Sequence, residues 1–147
     1  MSKMISYKGQ IAIGEQERIR LKTKDGKTGY KITKFQIIIS DTTDTSYQLV
    51  AQIFKTDPKT ATAGTAIMDF TNSDLLAVAH NDAENNFNNG EVIIFDNEKF
   101  NQDIFINVFD TDGGTTAANY YIELEAMPLS DLETTMLTLQ SIRQVLS

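Results

Sequence analysis

Apolar and polar residues alternate with a period of two along most of this chain. Ile19 and Leu21 alternate with Arg18, Arg20 and Lys22. After Gly29 the alternation resumes at Tyr30 and Ile32, then shifts phase to Phe35, Ile37 and Ile39. A phase slip inside one run predicts a β-bulge near Thr33-Lys34, because one extra residue re-aims every side chain that follows. Between these runs Asp25-Gly26 reads as a hairpin turn, which needs positive φ. In the next strand Tyr47, Leu49, Ala51 and Ile53 share a face, while Val50 and Phe54 interrupt the polar one, so that face is partly covered. Residues 65–70 read as a short strand. The run LLAVA (75–79) is short enough to favour a buried strand over a helix capped by Ser73. An Asn-rich loop over 81–90 follows, then strands at 91–95, 104–109 and 120–127.

The period changes once. Pro128 stops the last strand, and Ser130 with Glu133 forms a capping box, in which each side chain bonds the other's backbone N–H. Leu132, Met136, Leu139, Ile142 and Leu146 then recur at helical spacing, which predicts a helix over 131–146. Seven or eight strands without intervening helices exclude a parallel βαβ arrangement. They point to an all-β antiparallel sandwich, jelly-roll-like, with one C-terminal helix; an immunoglobulin-like sandwich is the alternative. The expected organisation is an N-terminal arm or edge strand (1–16), the sandwich (17–128) and the helix (129–147).

At 147 residues the chain is one domain with enough length for a real core. It has no cysteine and one histidine, His80. That removes thiolate nucleophiles, disulfides and zinc-thiolate sites, and no multi-histidine metal site can form within one subunit. The net charge of −7 repels nucleic acid and anionic membranes on average. The charge is uneven: residues 1–34 carry nine basic and three acidic residues, leaving the remainder strongly acidic. This reads either as a basic ribbon on its own acidic body or as a basic edge that docks on an acidic partner. The N-terminus has no secretory h-region and no apolar run long enough to span a membrane.

The chemistry-bearing candidates are few. His80 stands alone at a strand end, with no serine assigned to it by spacing. Glu123 and Glu125 lie on one exposed strand face and read as solubility residues rather than an acid–base pair. The segment DTDGG (110–114) resembles half of a calcium loop, but its glycine comes early and its distal acid is missing; Asp41 and Asp44 are weaker candidates still. No phosphate-binding glycine motif is present. The expectation is therefore no catalytic residue, no cofactor and no metal. The candidate partner-binding residues are the apolar positions of the arm, Ile5, Tyr7, Ile11 and Ile13, and the helix stripe, Leu132, Met136, Leu139 and Ile142.

The last strand and helix, NYYIELEAMPLSDLETTMLTLQSIRQVL (119–146), together with a cysteine-free, Thr- and Asn-rich acidic β-domain, resemble small virion structural proteins of tailed bacteriophages. The likeness is to the marine and cyanobacterial phage type, including capsid decoration or cement proteins. The resemblance implies a non-enzymatic virion protein, made in the host cytoplasm, that binds and stabilises a capsid. Its partners would be the major capsid protein or another virion protein, and copies of itself as a homo-oligomer, a trimer by resemblance. It implies no nucleic-acid or membrane partner. A tail or head–tail accessory protein, or a carbohydrate-binding or adhesin-like sandwich assisted by calcium, are the alternatives.

Overall fold

Inward-facing alternation sets the architecture of the chain in a computed structural model that describes residues 3–21, 27–44, 46–57, 68–84, 87–95 and 99–146. Eight strands precede one helix: β1 (Lys3–Ile11), β2 (Gln16–Ile19), β3 (Thr28–Ile39), β4 (Tyr47–Phe54), β5 (Leu75–Glu84), β6 (Phe87–Ile94), β7 (Ile104–Asp110), β8 (Ala118–Pro128) and α1 (Asp131–Leu146). They form two antiparallel sheets, β1-β8-β3 and β2-β7-β4-β5-β6. Ile32, Phe35, Ile37, Ile122 and Leu124 of the smaller sheet meet Leu49, Ile53, Ile104, Ile106 and Val108 of the larger, and all are buried in one cluster. The fold class is thus the antiparallel sandwich with a terminal helix that the alternation predicts.

Three of the four strand pairs of a jelly roll are hydrogen-bonded here: β1 with β8, β2 with β7, and β4 with β5. The fourth, β3 with β6, is not: β6 pairs with β5 and widens the larger sheet instead. The result is three strands over five.

Several local readings match the structure. The register of β3 against β8 slips between Ile32 and Lys34, the predicted bulge. LLAVA opens β5, and the helix spans Asp131–Leu146. Others are corrected. β2 and β3 lie in different sheets, so they are not hairpin partners; the Asp25-Gly26 turn itself lies outside the described residues. Of the short strand expected at 65–70, residues 68–70 belong to no strand, and Asp69 Oδ1 accepts from the Thr71 N–H at 3.0 Å; residues 65–67 lie outside the described ones. The Asn-rich stretch is not a loop: β5 continues to Glu84 and β6 begins at Phe87. β5 is paired on both sides, and ladder hydrogen bonds outweigh the weak strand preference of Asn and Asp. Of the two readings of the first residues, arm or edge strand, the structure has the edge strand, with β1 registered on β8 from Lys3↔Ala126 to Ile11↔Ala118.

Candidate functional site

Helix α1 is fixed at its start. The Leu129 N–H donates to the Lys27 carbonyl at 2.8 Å, and the Leu129 side chain rests on Gly29, where any Cβ would collide with it. Ser130 and Glu133 form the predicted capping box: the Glu133 N–H donates to Ser130 Oγ at 3.2 Å, and the Ser130 N–H donates to Glu133 Oε1 at 3.3 Å. Lys99 Nζ donates to Glu133 Oε2 at 3.1 Å. That ammonium, then the Ser130 N–H, holds the Glu133 carboxyl below its ordinary value.

The side of α1 turned to the sandwich carries Glu133, Thr134, Leu137 and Thr138, all half-buried. Asn101 Nδ2 donates to Thr138 Oγ1 at 3.2 Å, and Leu137 borders a cavity of about 20 Å³ shared with Phe100, Asn101 and Gln102. Among the described residues, the surface under the helix thus combines Phe100 with the polar side chains of Lys99, Asn101 and Gln102. The apolar stripe points the other way. Leu132, Met136, Leu139 and Ile142 are 71%, 52%, 49% and 49% exposed. Among the described residues of α1, a largely polar side is docked while the apolar stripe meets water, the reverse of the usual amphipathic surface helix. Contiguous exposed apolar residues of this kind mark interaction surfaces.

The other candidate residues have different places. Ile11 is buried in the core, and Ile5, Tyr7 and Ile13 pack against it. Alternation along β1 turns Ile5, Tyr7 and Ile11 toward the sandwich rather than away from it. Burial, then the nearby Asp103 charge, pushes the Tyr7 phenol up. His80 is exposed on the outer side of the larger sheet, opposite Val50 and Glu91. Glu123 and Glu125 lie 3.9 Å from Lys34 and 3.8 Å from Lys31, and Arg18 lies 2.8 Å from Asp103. Part of the basic N-terminal segment is thus folded onto the molecule's own acids.

In the 110–114 turn the Asp110 carboxylate is a structural acceptor. Buried Asp110 Oδ1 takes the Gln48 N–H at 3.0 Å and the Asp112 N–H at 2.9 Å. Asp112 Oδ2 accepts from the Ser46 hydroxyl at 2.6 Å, and Asp41 Oδ1 from the Thr43 N–H at 3.0 Å. Among the described residues no group of three or more His, Cys, Asp or Glu side chains is placed to hold a metal.

Pattern reading missed a second surface. Ile38 is 58% exposed and Val92 44% exposed beside a cleft of about 230 Å³ that also takes in Gln36, His80, Asn81 and Glu91. The signal was available at β3: in Ile37-Ile38-Ile39 one of three successive isoleucines must face away from the core. At β6 there was none, since which strand covers Val92 is decided by topology. No protein-family model and no curated protein matches this chain.

Proposed function

We propose that this is a non-enzymatic structural protein of a phage virion, a decoration or cement protein that adheres to a capsid through α1. One observation carries the reading: Leu132, Met136, Leu139 and Ile142 face solvent along a helix whose opposite face is tied to the sandwich. A rigid body with an apolar rod on its surface suits a protein whose work is contact with other subunits, whether capsid protein or further copies of itself. The phage-like strand-and-helix tail supports the same reading.

The test begins with Leu139→Asp. Leu139 is half exposed, so the variant should keep its unfolding midpoint within about 0.5 kcal/mol, as surface substitutions do. A charge in the centre of an apolar contact should weaken particle binding or self-association by at least tenfold, since a buried leucine is worth about 1.5–3 kcal/mol. Sedimentation with and without stripped phage particles reads both. Unchanged binding and oligomer size would overturn the role of α1. Absence of the protein from purified particles of a phage that encodes it would overturn the virion assignment.

A further inference from the structure

The apolar stripe of α1 is symmetric about its own middle. Counted from Leu139, Met136 and Ile142 lie three residues away on either side, and Leu132 and Leu146 seven. At 3.6 residues per turn, steps of three, four and seven all return to one side of a helix. Leu132, Met136, Leu139 and Ile142 are each exposed over about half of their surface or more. A row of anchors that reads the same in both directions fits its own copy when two helices run antiparallel. Leu139 then meets Leu139, Met136 meets Ile142, and Leu132 meets Leu146. An unrelated partner has no use for that symmetry.

Charge selects the antiparallel arrangement over the parallel one. The acids of α1 are Asp131 and Glu133, both in its first turn; its one base is Arg143, near its end; the residues between are uncharged. Antiparallel packing brings the acidic start of one helix to the basic end of the other and opposes their dipoles, whereas parallel packing sets acid beside acid. The sandwich is tied to the other side of α1, by Lys99 at Glu133 and by Asn101 at Thr138. A two-fold axis passing by Leu139 therefore puts the paired helices between the two bodies. At 16 residues α1 is about 24 Å long. One helix pair of that length belongs to the small interfaces, below about 1,200 Å², so the pair forms and dissociates with concentration.

We propose that two copies of this chain form a two-fold dimer through α1, packed antiparallel and centred on Leu139. This rests on the reading of α1 as a contact surface and names a second copy as what meets the stripe in the free protein.

The test is cysteine cross-linking on the full chain, which has no cysteine of its own, so that an introduced one is the only thiol. In the antiparallel pair position 139 faces itself, and Leu139→Cys should oxidise to a disulfide-linked dimer. Met136→Cys alone should stay monomeric on a non-reducing gel, because its counterpart lies about 9 Å further along the partner helix, beyond disulfide reach. Ile142→Cys alone should do the same, while a mixture of the two variants should link one to the other. Sedimentation equilibrium of the unaltered chain should show monomer passing to dimer as concentration rises. Arg143→Glu, which turns two attractions into two repulsions, should move that curve to about tenfold higher concentration. A monomer at all concentrations, a trimer, or equal self-linking at 136, 139 and 142 would overturn the proposal. A monomer in solution that still binds stripped particles in a Leu139-dependent way would overturn the dimer and support the virion reading. A dimer that binds no particle would support the dimer and overturn the virion reading.

Discussion

Tyr120 of the smaller sheet links the two layers through its hydroxyl. Its hydroxyl donates to Glu17 Oε1 on β2 at 2.9 Å, while its ring lies against Gly9 of β1. Any Cβ at residue 9 would fall within 2.9 Å of the Tyr120 ring and hydroxyl, so glycine is the residue that lets ring and strand approach. Burial, then the Glu17 hydrogen bond and charge, pushes the phenol far above its usual range, so it remains a donor throughout the working pH range. Tyr120→Phe should keep the ring packing, lose one hydrogen bond to a charged acceptor, and destabilise the protein by about 1–2 kcal/mol in urea unfolding. Glu17→Gln keeps an acceptor and should cost less. An unchanged midpoint for Tyr120→Phe would show that Glu17 is equally well served by water.

At the scale of elements, the cap of α1 carries a pH signature. The folded state holds the Glu133 carboxyl below its ordinary 4.5 through Lys99 and the Ser130 N–H. A depressed carboxyl pKa contributes stability that is fully present above the unfolded value and is lost as pH falls through the folded one. The first turn of α1 should therefore loosen below about pH 4.5, seen as growing exchange of the Glu133 and Thr134 amides, which donate to Ser130. Glu133→Gln should remove that pH dependence. If wild type and variant loosen in parallel, other carboxylates control the helix.

The helix also shows what a sequence can and cannot say. The Ser130–Glu133 box and the 132-136-139-142 spacing define the element and its apolar side. They do not say that Lys99, Asn101 and Gln102 lie beneath it, and so which side docks. The bulge in β3 was legible because a phase slip is local. The Asn81 region was not, because its strand character comes from β4 and β6 pairing on either side. Asp25-Gly26 misled for the same reason: a turn signal is local, while the assignment of β2 and β3 to different sheets is a property of the whole order. The cleft lined by Ile38, Ala79 and Val92 was invisible until that order showed β6 beside β5.

For the whole molecule, the question is what the first strand contributes. Residues 1–34 bear an excess of basic charge, which invites reading the start of the chain as a detachable docking arm. Three of those nine basic residues pair internally, as Arg18–Asp103, Lys31–Glu125 and Lys34–Glu123. Exposed pairs of this kind are worth about 0–1 kcal/mol each, so they orient the ribbon more than they hold it. The apolar side chains of β1 hold it. Ile11 is 3% exposed, and Ile5 and Tyr7 pack on the core. Burying each is worth up to about 1.5–3 kcal/mol. Removing residues 1–11 would also turn β8 into an edge strand and leave two strands over five. Deletion of these residues should then cost about 4–8 kcal/mol, comparable with the whole stability of a domain of this size. The truncated chain should show a collapsed NMR dispersion or a far lower urea midpoint, at low and high salt alike, because the loss is apolar rather than ionic. A truncated protein that unfolds cooperatively at the full-length midpoint would make β1 an appendage and return the basic segment to the role of a docking arm.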